Sequence, residues 1–297
     1  MIKGNVPGEN HTTRPRKRDA VEVIDEQEMD EKIRKLRLID DTLMKAVFAG
    51  FKPGAEVLIR ACLERDDINV VRVRAQREYH NTVFREIRID IDAIDREGNR
   101  YDIEVQREAE EADPRRALYH LSFMTNQSLK KAKDFRALPQ MYVIFFNESD
   151  YFGTGRPMER FSWRNDDTGE PFSDQAHIIY VNGNYRDTGT LLGGIVHDLF
   201  CTDPRDMVTP VLAERVSHFK ESVGGKDTMV GFERDGYNRG IVAGRAEGET
   251  KGFAKSIINL MRSTKKSLNE ALNMLGVSEE ERPAVIEQVN AMTASGK

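Results

Sequence analysis

Cysteine is nearly missing from this chain: Cys62 and Cys201 are the only two in 297 residues. That excludes a disulfide framework and a thiolate metal knuckle, and it fits a reducing compartment. No run of about 18 apolar residues occurs, so no membrane-spanning helix is expected. No apolar segment follows the basic residues near the N-terminus, so no secretory leader is expected either, and the chain reads as soluble and cytoplasmic. An excess of positive charge is also lacking. With 45 Lys and Arg against 50 Asp and Glu, the formal net charge is −5. The molecule is therefore no cationic coat for nucleic acid, and contact with a polyanion must use a local basic surface or a metal ion. His80, His120, His177, His197 and His218 show no His-x-x-x-His ligand spacing and are expected at the surface or satisfied in the core. Neither cysteine has an adjacent histidine to activate it, so buried inert thiols are expected. Gly183-Asn184 and Gly193-Gly194 lack the phosphate-loop pattern, which leaves nucleotide hydrolysis unsupported.

The residues present still make a core. Charged residues are 32% of the chain, above the usual share of roughly 25%, but 14 Phe and 8 Tyr remain beside many aliphatics. The length allows about two domains, or one with extensions. Residues 1–35 contain no aromatic residue and carry Arg14-Pro15-Arg16-Lys17-Arg18 before an acidic run from Asp19 to Glu31. This stretch is expected to be a mobile charged arm, with helix from Glu26 onward and the basic cluster solvated or, alternatively, in contact with phosphate. Residues 36–222 are mixed and globular. Leu36, Ile39, Leu43, Val47 and Phe48 have helical spacing, with Gly50 placed to end that helix. Val70 to Val73, Glu86 to Ile94, Tyr101 to Gln106, Met141 to Phe146 and Ile178 to Val181 read as strands. Asp113-Pro114 opens a helix expected to reach about Lys133, and another is expected within Asp187 to Phe200. Residues 223–297 differ in kind. Gly236, Gly240, Gly244, Gly248 and Gly252 recur every four residues, followed by the helix-start pairs Ser267/Glu270 and Ser278/Glu281. This part is expected to be a helical tail, with the glycine stripe as an association surface for a homo-oligomer or, alternatively, a flexible linker.

The acidic hairpin between Arg85 and Arg107 carries the most information. Ile87, Ile89 and Ile91 alternate with Glu86, Arg88, Asp90 and Asp92, while Tyr101, Ile103 and Val105 alternate with Asp102, Glu104 and Gln106. Pointing both apolar faces one way sets Asp90 opposite Glu104, Asp92 opposite Asp102, Ile94 opposite Arg100 and Arg88 opposite Gln106. Directly opposed like charges, with Cβ atoms about 4.5–5.5 Å apart, destabilise a sheet. Four carboxylates around one arginine need either a divalent cation with hard oxygen ligands, such as Mg²⁺, or full solvation on the outer face of an edge hairpin. Alternation alone leaves both open.

Ile89-Asp90-Ile91, the turn at Gly98 and Tyr101-Asp102-Ile103-Glu104-Val105-Gln106 together resemble the signature of the PD-(D/E)XK nucleases. More narrowly, they are similar to the Rpn family of recombination-promoting nucleases and transposases, whose version ends in Glu-x-Gln. Asp41 to Phe48 resembles that family's opening helix, Arg116-Ala117-Leu118-Tyr119 its helix after the signature, and Leu138 to Phe145 its next strand. The glycine-spaced tail is familiar from the same family, so the resemblance runs from about Leu36 to the C-terminus. It implies an α/β restriction-endonuclease-like core, a central mixed sheet flanked by helices, with a helical C-terminal extension. It also implies a Mg²⁺-dependent DNA endonuclease, with Mn²⁺ as the substitute ion, acting in recombination or as a mobile-element protein. On this resemblance Asp90, Glu104 and Gln106 are catalytic. Asp90, Glu104 and the carbonyl of Val105 hold metal, with Asp41 an outer or second-metal ligand whose alternative is an ordinary pair with Lys45. Arg116, Tyr119 and Lys45 are substrate-binding, Arg115 belongs to a solvated helix face, and Asp92 and Asp102 are structural or support the ligands. Gln106 stands where the wider superfamily often has Lys, and a neutral amide orients water or phosphate without adding charge. The competing expectation is a catalytically inactive nuclease-fold module that binds nucleic acid or a protein partner. An active enzyme needs Asp90 and Glu104 convergent, whereas a binder needs only basic surface.

Overall fold

A computed structural model describes residues 26–79, 87–107, 112–129, 134–173 and 175–294. The chain enters through helix α1 (Glu26–Lys35), then α2 (Asp41–Phe48) and α3 (Lys52–Leu63). Strands β1 (Val70–Tyr79), β2 (Ile87–Asp95) and β3 (Arg100–Gln106) follow. Helix α4 (Pro114–Ser128) leads to β4 (Met141–Asn147), β5 (Met158–Ser162) and β6 (Ala176–Val181). The chain continues through α5 (Leu191–Phe200), α6 (Pro210–Glu221), α7 (Val223–Thr264), α8 (Leu268–Met274) and α9 (Arg282–Ala294).

The six strands form one mixed sheet in the order β1-β2-β3-β4-β6-β5. β1, β2 and β3 are antiparallel, β3, β4 and β6 run parallel, and β5 returns antiparallel at the far edge. The expected register holds, with Asp92 opposite Asp102 and Ile94 opposite Arg100. Gly98, at φ +89°, makes the turn between β2 and β3 in a backbone region that side chains rarely adopt. The hairpin lies inside the sheet, because β1 covers the outer edge of β2 and β4 covers β3. This corrects the edge-hairpin alternative: the acidic face is not solvated.

The sheet separates two apolar layers. On one face Ile91, Ile103, Val105, Ile144 and Phe146 pack with α1, α2, α3, α5, α6 and the first turns of α7. On the other, Val143, Phe145 and Tyr180 pack against Ala117, Leu121 and Met124 of α4. The fold is thus the expected mixed sheet flanked by helices. Among the described residues no helix is long and apolar enough to cross a membrane.

Several boundaries differ from expectation for local reasons. Residues 1–25 of the arm lie outside the described residues, but α1 buries Met29 and Ile33 in the main core. Leu36 to Asp40 form a turn instead of the first turn of α2, because the Asp40 carboxylate takes the Arg37 N–H at 2.7 Å. β1 runs to Tyr79, beyond Val73, although Arg72, Arg74, Gln76 and Glu78 give it no second apolar face. α4 ends at Ser128, and residues 130–133 of its expected length lie outside the described ones. α5 begins at Leu191 because the Thr190 hydroxyl accepts from Gly193 N–H. β5, partly exposed and without alternation, was not legible.

The tail is helical throughout its glycine region: α7 is continuous over 42 residues, from a Ser222 cap to Lys265. Its first turns reach the main core through Met229. Its last turns join α8 and α9 in a separate small core of Ala254, Ile257, Leu272, Val285 and Val289. Ser267 and Glu270 form the expected reciprocal cap. Ser278 and Glu281 do the same immediately before α9.

Candidate active site

The paired ladder between β2 and β3 extends to Ile91 and Ile103. Beyond that point side chains take over the backbone groups. The Asp90 N–H donates to Glu104 Oε1 at 3.1 Å, and the Val105 N–H donates to Asp90 Oδ2 at 3.1 Å. Each carboxylate thus replaces a ladder carbonyl, and both converge where the strands part. Gln106, two residues past Glu104 and so on the same face, donates through Nε2 to Glu104 Oε2 at 3.1 Å.

α4 closes the polar face from above. Asp113 caps the helix by accepting from the Arg115 N–H at 2.7 Å, and Pro114 fixes its first turn. That start places Ala117, Leu121 and Met124 on β4. It also turns Arg116 and His120, one turn apart, toward β3. Arg116 Nη2 donates to Glu104 Oε2 at 2.9 Å. His120 Nδ1 lies 2.8 Å from Asp102 Oδ2 and 3.8 Å from Glu104 Oε1. Arg115 is paired with Asp113 and points to solvent, as expected of an ordinary helix face. Asp92 is held from β1 by Arg77 at 2.6 Å.

Burial sets the electrostatics. Asp90 is 4% exposed, while Asp102 and Glu104 are fully buried. Burial, then the charge of Glu104, pushes Asp90 up to about 8. Burial, then the charge of Asp102, pushes Glu104 up to about 8. Asp102 is also pushed up to about 8, mainly by burial. Burial pushes His120 down, which favours its neutral imidazole. Asp102 Oδ1 is buried without a hydrogen-bond partner among the described residues. Ligand atoms of Asp102, Glu104 and His120 all lie within 4.8 Å of one another. Converging carboxylate oxygens, one of them orphaned, suit a hard divalent cation.

The structure therefore brings together Asp90, Glu104, Gln106, the backbone of Val105 and Arg116. Asp41 opens α2 at the rim, with its carboxylate 3.3 Å from Arg88 instead of paired with Lys45, and its charge helps to raise Asp90. Lys45 Nζ sits 4.8 Å over the Phe232 ring of α7. Tyr119 is half-exposed on α4. Sequence reasoning gave His120 no role and Asp102 only a supporting one. Their meeting needs α4 laid across β3, a contact that no spacing within one element reveals.

A second group, His197, Asp198 and Cys201, corrects the expectation that neither thiol neighbours a histidine, since Cys201 Sγ is 3.6 Å from His197 Nδ1. The thiol is not activated, because burial leads its rise to about 11. Asp198 is committed to the start of α6, accepting from the N–H groups of Val208 and Thr209 at 2.8 and 2.7 Å. Cys62 is buried and pushed up to about 12.

Residues 41–184 match the family model described as PD-(D/E)XK nuclease family transposase. Searches of curated proteins and of solved structures gave no match. The matched segment begins at α2, holds the entire six-stranded sheet and includes each residue converging on the parted end of β2 and β3. Over residues 41–184 the chain is thus similar to the PD-(D/E)XK nuclease family transposases, which supports a nuclease-like function for this segment.

Proposed function

We propose that the protein is a Mg²⁺-dependent DNA endonuclease, with Mn²⁺ as a substitute, that hydrolyses phosphodiester bonds in recombination or as part of a mobile element. The observation that carries this reading is the convergence of Asp90 and Glu104 at the parted end of β2 and β3, with Gln106 on the same face. Asp90 and Glu104 would hold the cation, Val105 would offer its carbonyl, and Asp41 would act from the rim. A bound divalent ion supplies Lewis-acid polarisation of the phosphoryl oxygen and of water. The chain's own residues do the rest. Gln106, anchored on Glu104, orients water or a phosphate oxygen. Arg116 neutralises Glu104 and places a positive charge beside the site where a phosphate would bind. Tyr119, on the half-exposed face of α4, and Lys45 extend the substrate contact. Residues 36–222 form the nuclease unit, and residues 223–297 form an association unit for a homo-oligomer.

A plasmid-nicking assay with Mg²⁺, with and without chelator, tests the reading. Wild type should nick only with the ion, and Asp90→Ala should not nick at all. Equal activity of the two proteins would remove Asp90 from the mechanism.

A further inference from the structure

β1 is the edge strand beside the acidic site, and Arg72, Arg74 and Arg77 are among its polar residues. Arg74 lies opposite Asp92 and Arg72 opposite Ile94 in the β1–β2 register. Opposed residues of an antiparallel pair point to the same face. Val73 is buried in the core on the opposite face. Arg72 and Arg74 therefore share the face of Asp90 and Asp92, and both are exposed.

Their neighbours in the site are committed: Arg77 to Asp92, Arg88 to Asp41, Arg116 to Glu104. Neither the Arg72 nor the Arg74 side chain has an ion pair or hydrogen bond among the described residues. Two unpaired guanidiniums side by side are notable in a chain of net charge −5. Protection of a sheet edge against pairing would call for charge of any kind on either face. It does not explain why both charges are arginine, both unpaired, and both on the carboxylate face. Residues two apart on a strand are separated by about 7 Å, the order of the spacing of successive phosphates on one strand. Arg74 is two residues along the sheet from the level of Asp90, one strand over. A register shift falls between Val70 and Arg72, and φ is +46° at Gln76, so β1 is irregular on both sides of the arginine pair.

We infer that Arg72 and Arg74 are substrate-positioning residues, each gripping one backbone phosphate of the DNA that flanks the scissile bond. The substrate class rests on the proposed nuclease function, but the binding does not require turnover. Each grip on duplex DNA releases condensed counterions, so the slope of log Kobs against log[salt] carries about 0.9 per phosphate contact. The test is a salt titration of binding to a labelled duplex oligonucleotide of arbitrary sequence, in chelator, with the full chain. Arg72→Ala/Arg74→Ala should lower the slope by about 1.8 and weaken binding equally across sequences. Arg72→Lys/Arg74→Lys should retain the slope. Arg205→Ala, an exposed residue paired with Asp203, should leave it unchanged. In the Mg²⁺ assay the double alanine variant should raise KM and spare kcat. An unchanged slope in Arg72→Ala/Arg74→Ala, an equal loss in Arg205→Ala, or no DNA binding by wild type overturns the inference. Binding with the expected slopes but no cleavage by wild type would sink the nuclease reading and leave this inference standing.

Discussion

Glu104→Gln tests the electrostatics of the site more directly than any loss of activity. Glu104 is fully buried, and burial followed by the Asp102 charge pushes its carboxyl up to about 8. In the unfolded chain a glutamate titrates near 4.3. Between those values the metal-free folded protein holds a proton that the unfolded chain has released. A folded state that binds more protons loses stability as pH rises. The contribution is thus fully present below about pH 4 and is lost progressively up to about pH 8. One fully retained proton corresponds to about 1.4 kcal/mol per pH unit. Asp90 and Asp102 are raised alongside, so the three carboxyls share the effect and their separate values do not add. The amide keeps the shape of the side chain, still accepts from Arg116, and cannot ionise. Glu104→Gln should therefore match wild type near pH 5 and gain on it by up to about 1.4 kcal/mol for each pH unit toward pH 8, a few degrees in Tm. Urea unfolding in chelator across that range measures the difference. Added Mg²⁺ should reverse the order at pH 8, stabilising wild type by mass action and the variant little. If Glu104→Gln shows the wild-type pH slope, or is the less stable protein at pH 8 in chelator, the carboxyl is not held protonated by its surroundings and the argument fails.

Other outcomes follow from the same geometry. Asp90→Ala and Glu104→Ala should abolish plasmid nicking while keeping the wild-type far-UV spectrum, and Gln106→Ala should slow nicking less, since it removes orientation and no charge. Mg²⁺ affinity followed by calorimetry should tighten as pH rises toward about 8, by about tenfold per unit for each proton displaced; a flat profile would mean that the ion binds elsewhere. Leu272→Ala should cost about 2–5 kcal/mol in the small core of α7, α8 and α9, read by proteolysis of the tail with nicking unaffected. Gly240→Ala/Gly244→Ala should stabilise an isolated α7 by about 1 kcal/mol per site, since a Cβ there meets nothing within 4 Å among the described residues. If the stripe packs on a second copy, light scattering should instead show the oligomer weakened.

The hairpin was legible because its information is local. A period of two, a glycine turn and the rule that apolar faces coincide were enough to set Asp92 against Asp102 and Ile94 against Arg100. Capping chemistry was equally local: Asp113-Pro114 and Ser267/Glu270 start helices where their side chains satisfy orphan N–H groups. What failed was whatever depends on contacts distant in sequence. Leu36 and Ile39 fit a helical stripe, yet Ile39 N–H donates to the carbonyl of Leu199 at 3.0 Å and the helix starts later. β5 has no apolar face of its own and exists because β6 needs a partner on its open edge.

The candidate site shows the same division at closer range. Spacing placed Asp90, Glu104 and Gln106 on one face, and the structure brings them within hydrogen-bonding reach. Alternation read that face as polar and therefore offered solvation as one way to relieve its charge. The polar face is instead covered by α4, and β1 closes the edge of the hairpin. Covering acidic groups raises their cost steeply, because the charged form loses its water. The helix that buries them also brings Arg116 and His120, which offset part of that cost. Protonation offsets more of it in the metal-free protein, as the elevated carboxyls show. Arg116 and the retained protons together do in part what a divalent cation does fully. On the proposed function, a site organised this way would exchange protons for metal, and the repulsion that would destabilise an ordinary sheet would become the source of its affinity.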